Sequence, residues 1–200
     1  MTEKLDGTDK LTRIVLATKN QGKIKEIKAI LGGGFIFQKI RDYRKTPIRE
    51  TGGSLQENSL GKAAFAYRLS GKPCLADDSG LFIDALRGEP GIRSARYGRT
   101  DQTRIAKVLS TLKAKKKRSA KFRAVFVYYY APGKYKSFEG ECRGSIAHAP
   151  RGKNGFGYDP IFIPEGFHKT FAQLGAKTKN RISHRAKALA KIKKFLKQRP

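Results

Sequence analysis

The scarce acidic residues are where this chain could do chemistry. Lysine and arginine together number 44, aspartate and glutamate only 16. Two of those acids stand side by side in Asp77-Asp78-Ser79-Gly80, after an apolar stretch. At a strand end successive side chains point to opposite faces, so one carboxylate can enter a cleft while the other braces a turn. A hard cation such as Mg²⁺ takes carboxylate oxygens and keeps part of its water shell. A solvent-facing acidic turn is the plainer alternative. Glu57-Asn58 opens a helical segment, with Lys62 four residues after Asn58. Glu57 therefore offers a second carboxylate to such a cation, or simply complements the helix dipole.

Three further segments carry polar groups at element boundaries. Thr18-Lys19-Asn20-Gln21-Gly22-Lys23 joins a strand to a helix. Backbone N–H groups at a helix start bind phosphate, and Lys19 and Lys23 add charge. The segment lacks the Gly-x-x-x-x-Gly-Lys-Ser/Thr pattern, so it reads as a generic phosphate site or an ordinary strand–helix turn. In Gly155-Phe156-Gly157-Tyr158-Asp159-Pro160, Phe156 can stack on a base and Asp159 can accept from a base amine or hold a cation. A tight turn whose aromatics cap the core is equally consistent. Ser183-His184-Arg185 places an N-cap before two side chains able to donate to a carbonyl oxygen. A serine–histidine catalytic pair is disfavoured there, because adjacent residues rarely meet in the required geometry.

Periodicity supplies the elements that must position these groups. Ile14–Ala17 reads as a buried, possibly parallel strand, followed by a helix with Ile24, Ile27, Ile30 and Leu31 inward and Gly32-Gly33-Gly34 at its end. Phe35–Ile40 predicts a second strand, residues 42–54 a loop, and Leu55 to about Leu69 a helix with Leu60, Ala63, Ala64 and Tyr67 on one face. Pro73–Ala76 predicts a strand stub, interrupted by Asp77–Gly80 and resumed over Leu81–Ile83. Asp101–Leu112 is helical, with Ile105, Val108, Leu109 and Leu112 inward. Lys113–Lys121 reads as a solvated helix end and linker. Phe122–Ala131 is the strongest strand signal, with Phe138–His148 as its hairpin partner. Ile161–Ile163 predicts a short strand, and a terminal helix from Ser183 carries Leu189, Ile192 and Leu196. Short strands alternating with helices predict an α/β fold, and the hairpin makes its sheet mixed.

Composition bounds the rest. With 38% apolar residues the 200-residue chain can bury a core, as one domain or as two small lobes sharing one. Two cysteines cannot build a disulfide framework, and they fit a reducing, cytoplasmic setting. No run of 18 apolar residues offers a membrane span, and the polar start lacks a secretory pattern. The net charge is +28, and residues 101–200 hold 25 bases against 5 acids. Such a surface attracts polyanions, so non-specific nucleic-acid contact is an expectation of its own.

Taken in order, these segments resemble the inosine triphosphate pyrophosphatase family, also called Ham1-like or XTP/dITP diphosphatases. The resemblance rests on the Thr18–Lys23, Glu57-Asn58/Lys62, Ala76–Leu81, Gly155–Pro160 and Ile182–Arg185 segments, with Pro90-Gly91-Ile92 and Ser94-Ala95-Arg96-Tyr97 between them. It runs from residue 14 to about 197. It implies an elongated central mixed sheet flanked by helices, two lobes around a nucleotide cleft, and a homodimer. The domain would span residues 13–197, after a flexible tail over 1–12. It implies Mg²⁺-dependent hydrolysis of ITP, dITP and XTP to monophosphate and pyrophosphate. By the same resemblance Asp78 is the catalytic carboxylate, and Glu57, Asp77 and Asp78 gather Mg²⁺. Thr18, Lys19, Asn20, Lys23, Lys62 and Lys179, the last in a loop before the terminal helix, clamp phosphates, and Ser79 touches substrate. Phe156 stacks on the purine, and Asp159, His184 and Arg185 read its 6-oxo edge. Leu55, Ser59 and Gln173 depart from the family's usual phenylalanine, alanine and glutamate.

Overall fold

Residues 12–39 and 50–198 are described by the computed structural model. The apolar runs form strands β1 (Thr12–Leu16), β2 (Phe35–Lys39), β3 (Cys74–Ile83), β4 (Ser119–Ala131), β5 (Lys134–Ile146) and β6 (Phe162–Pro164). The helices are α1 (Gln21–Leu31), α2 (Leu55–Ser70), α3 (Asp101–Thr111), α4 (Phe171–Ile182) and α5 (His184–Lys197). One sheet runs in the order β2-β1-β3-β4-β5-β6. β1 is parallel to β2 and β3, and the other pairs are antiparallel, as a mixed sheet requires. The tail expected over 1–12 lies outside the described residues except for Thr12, which opens β1, and the loop expected over 42–54 does so up to residue 49.

Three expectations need correction. Asp77–Gly80 is not a turn. It lies in the middle of β3, paired with Arg123–Phe126 of β4 across an unbroken register. Asp, Ser and Gly disfavour strands, but pairing with a long aromatic neighbour overrides that weak preference. Lys113–Lys121 is not a linker throughout. Ser119, Ala120 and Lys121 already belong to β4, and Arg118 donates to the carbonyls of Leu112, Ile146 and Ala147. Lys179 is not in a loop but in α4, which the sequence reading lacked. Thr170 and Gln173 form a reciprocal capping box there. Gly175, at φ 76°, breaks the helical pattern, and the buried residue in the second half is Lys179 rather than an apolar one. Its apolar face is short, made by Phe171, Leu174 and Ile182.

The side chains of β3 and β4 sort by face. Leu75, Phe126 and Tyr128 pack with Ile24, Ile27 and Leu31 of α1 and with Leu189 and Ile192 of α5. Further along the same face Leu81, Ile83 and Phe122 pack with Val108 of α3, Phe162 and Phe171. The opposite face is covered by α2, where Ala63 and Ala66 meet Cys74, Ala76 and Val127. α2 turns polar residues inward as well as apolar ones: Asn58, Ser59 and Lys62 are buried. The Ser59 hydroxyl donates to the Val125 carbonyl at 2.7 Å, which an alanine there could not do.

β6 pairs with only Gly144–Ile146 of β5. The outer edge of β5 from Lys134 to Cys142 has no strand neighbour among the described residues, and Lys191 Nζ donates to the Glu139 carbonyl there. α5 is seated on β5 at Gly140, where an added Cβ would stand 2.0 Å from the carbonyl oxygen of His184. Gly140→Ala must therefore lift the first turn of α5. It is expected to cost about 1–3 kcal/mol, as overpacking does, read as a lower urea midpoint at unchanged slope.

Candidate active site

The site exists because β1 is short. β1 pairs with β3 only at Val15–Leu16 and Cys74–Leu75, so the edge of β3 beyond Ala76 is open. α1 begins beside this edge, and the 3-10 turn Gly91–Arg96 closes the far end, where Ser94 Oγ accepts from the Leu81 N–H. Between them lies a cleft of about 680 Å³. Residues 17–23, Glu50, Lys62, Asp78, Ser79, Phe156, Asp159, Lys179, His184 and Arg185 all line it. The structure thus brings together all the expected site residues except Glu57 and Asp77.

The strand alternation at Asp77-Asp78 separates two charge environments. Asp78 faces α2. Its carboxylate accepts from Asn58 Nδ2 at 2.9 Å and from the Ser79 N–H at 3.0 Å, and Lys62 Nζ stands 3.6 Å away. The same Lys62 pairs with Glu50 at 2.7 Å. Asn58 Oδ1 accepts from the Gly52 N–H, which fastens the Glu50 segment to Asp78. Two carboxylates and one ammonium leave a net charge of −1. Burial pushes the Asp78 carboxyl up, and Glu50 adds to the rise against Lys62 and Lys23. Burial also favours the neutral form of Lys62, but Asp78, Asp77 and Glu50 outweigh it and hold the ammonium charged. No group of three acidic, histidine or cysteine side chains among the described residues could enclose a metal by itself. Asp78 and Glu50 nevertheless fit Mg²⁺, which is usually bound by one or two carboxylates together with substrate phosphates. Glu57 is exposed at the start of α2, where its carboxylate accepts from the Gly53 N–H at 2.9 Å, outside the cleft lining.

On the opposite face, Asp77 is buried against α1 and α5. Lys23 Nζ is 2.8 Å from its carboxylate and Arg185 Nε 3.8 Å. Burial works to raise the Asp77 carboxyl, but Lys23, Arg185 and Lys62 together hold it below its ordinary value. Glu26 of α1 binds Arg185 with one oxygen and Lys179 with the other, the latter at 2.7 Å. Lys179 also bonds Asp159, and Arg185 Nη2 reaches Ser79 Oγ at 3.2 Å. Three cations and three carboxylates therefore balance beneath the cleft.

The far wall is aromatic. The Phe156 ring lies against Gly22, where an added Cβ would stand 2.4 Å from it, so α1 needs a glycine there. Lys179 Nζ sits 4.5 Å from the centre of the same ring. Asp101, at the start of α3, accepts from the Gly157 N–H at 2.6 Å and from Arg104 at 2.6 Å, which ties the Phe156 loop to the opposite wall. His184 stacks on Phe122, ring centres 4.7 Å apart and 12° from parallel. It is buried, and among the described residues neither ring nitrogen has a hydrogen-bond partner. Asn20 caps α1 by accepting from the Lys23 N–H at 3.0 Å, leaving a helix start with Thr18 and Lys19 on the cleft wall. Glu50, Asp101 and Arg104 escaped the sequence reading. Glu50 lies in a polar stretch without periodicity, and the other two look like an ordinary helix start.

The chain matches the Ham1 family model over residues 14–195. It belongs to the Ham1 family. Over 193 residues it is 44% identical to a protein of Geobacter sulfurreducens named dITP/XTP pyrophosphatase, covering 93% of this chain and 97% of the relative. A protein of the same name from Bacillus subtilis is 45% identical over 189 residues, 91% of this chain and 96% of the relative. A solved HAM1 protein structure from Coxiella burnetii superposes with a TM-score of 0.86 at 39% identity, covering 94% of this chain and 100% of the other. The Ham1 protein of Staphylococcus aureus gives 0.83 at 39% identity, covering 93% and 98%. The Ham1 motifs are thus gathered around one cleft, with β3 as their common axis.

Burial, followed by Arg185, Lys179 and Lys23, holds the His184 imidazole well below its ordinary 6.5. The folded ring therefore stays neutral where an unfolded histidine takes up a proton. Stability falls as pH drops through 6.5, by at most about 1.4 kcal/mol per pH unit from this group. In an NMR titration the His184 ring protons should keep their neutral positions through the range where an ordinary histidine titrates, around 6.5. An ordinary titration curve would show that the cations do not surround the ring as described.

Proposed function

We propose that this chain hydrolyses the deaminated purine nucleoside triphosphates ITP, dITP and XTP to the monophosphate and pyrophosphate, with Mg²⁺ as cofactor. The observation that carries this reading is the division of one cleft by β3. A buried carboxylate with a second acid lies on one side, and an unpartnered neutral imidazole beside an arginine on the other. The names of the relatives support it independently.

In this reading the triphosphate lies across the start of α1. The first-turn N–H groups, Lys19 and Lys23 take its charge there, and Lys62 takes it from below. Asp78 and Glu50 hold Mg²⁺, which when bound neutralises charge on the triphosphate oxygens. Asp78 orients the attacking water and takes its proton, because Asn58 and the Ser79 N–H fix its two oxygens. Phe156 stacks on the purine, and Lys179 holds Asp159 in place behind it. A hydrogen-bond donor from His184 and the guanidinium of Arg185 satisfy the 6-oxo group. Adenine places an amine donor at that position, and a buried polar group left unpaired costs about 1–3 kcal/mol, or roughly 5- to 150-fold in selectivity.

Pyrophosphate release from a panel of ITP, XTP, dITP, GTP, ATP, CTP and UTP tests the reading. ITP and XTP should be preferred, and chelator should abolish the reaction. Asp78→Asn, isosteric and folded by circular dichroism, should lose at least about 100-fold in kcat, the scale of a missing proton acceptor. Equal rates on ATP, or normal turnover by Asp78→Asn, would overturn it. Asp101→Ala should act differently. It releases the Phe156 loop rather than the reacting groups, so KM for ITP rises about tenfold with kcat nearly unchanged.

A further inference from the structure

Three of the helices on the α5 side of the sheet, α1, α4 and α5, expose one sign of charge. α5 packs on α1 and α4, and these touch each other. Exposed on the layer are Lys25 and Lys28 of α1, Lys177 and Arg181 of α4, and Lys187, Lys194 and Lys197 of α5. The three helices contain a single acid, Glu26, and it is turned inward to Lys179 and Arg185. Among the described residues none of the seven exposed cations forms an ion pair. The opposite side of the sheet is built differently. There Glu139 lies 3.3 Å from Arg123, and Glu141 lies 3.4 Å from Lys121 and 3.1 Å from Arg143. Those two strands balance their cations with acids, whereas the three-helix layer does not.

We propose that this layer binds the phosphate backbone of double-stranded nucleic acid without reading its sequence. Residues 187, 191, 194 and 197 follow one another along α5 at rises of about 6, 4.5 and 4.5 Å. A duplex presents a phosphate about every 1.7 Å of its axis, so such a row meets several at once. The large exposed hydrophobic side chains among the described residues are Ile36, Leu69 and Tyr135, none of them on these helices. The layer thus lacks the apolar face that enters a bilayer and the apolar centre of a protein interface. It also lacks exposed aromatic rings on which single-stranded bases stack.

Fluorescence anisotropy with labelled DNA and RNA duplexes of about 20 base pairs, between about 50 and 200 mM salt, tests this. The wild type should bind both, with affinity falling steeply as salt rises. The triple variant Lys187→Gln, Lys194→Gln, Lys197→Gln should bind at least about tenfold more weakly at 0.1 M salt, with the log–log salt slope reduced by about 1–3. Its pyrophosphate release should equal that of the wild type, since none of the three lines the cleft. A control of equal charge change, Lys113→Gln, Lys115→Gln, Lys116→Gln, should keep the wild-type slope. Absence of duplex binding at about 0.15 M salt would overturn the proposal. So would an equal loss in the control, or tighter binding to phosphatidylserine vesicles than to duplex. The duplex-binding and vesicle outcomes do not depend on the proposed hydrolysis.

Discussion

Glu26 holds together what no apolar contact could. It sits on α1, and its two oxygens fix Lys179 of α4 and Arg185 of α5. Through them it also sets Asp159 and Ser79. Burying six charged groups is expensive, since each loses several kcal/mol of hydration even after relaxation. Replacement by hydrophobic residues often costs nothing in stability. The cluster is therefore better understood as a device for position: a rigid, neutral floor of fixed donors under the cleft. Burial opposes ionisation of Glu26, but Arg185 and Lys179 hold its carboxyl below the usual value, so Glu26 stays charged at neutral pH, while burial pushes the Asp159 carboxyl up and the Lys23 ammonium down.

The same logic explains why β3 is the axis of the molecule. A strand alternates its side chains, so adjacent carboxylates are sent to opposite faces without any special turn. Asp77 joins the balanced cluster, whereas Asp78 joins a group left with net negative charge. Two identical side chains acquire opposite environments from one residue of displacement. The open edge beyond β1 then exposes one of them to the cleft.

Much of this was legible in the sequence. The apolar runs located the strands of the mixed sheet, and Ser183 announced the start of α5. The ordered motifs indicated which loops must converge. What escaped had physical reasons. α4 buries Lys179 beside Phe171 and is interrupted at Gly175, so its apolar spacing is short and broken. The continuity of β3 through Asp77–Gly80 is imposed by β4, a partner more than 40 residues away in sequence. Glu50 matters only because Lys62 and Asn58 bring its segment to Asp78, and Glu57, better placed in sequence, is spent on holding Gly53.

The uncovered edge of β5 has a consequence for the purified protein. A free strand edge is a template on which a second chain can add, the first step towards insoluble assemblies. Here Lys134 and Lys136 flank that edge, and Lys191 occupies one of its carbonyls. Approaching copies repel one another before their backbones can pair. That protection is electrostatic, and it weakens as the screening length shrinks from about 10 Å at 0.1 M salt to about 3 Å at 1 M. Concentrated salt should therefore lower the electrostatic barrier to edge-to-edge pairing of copies.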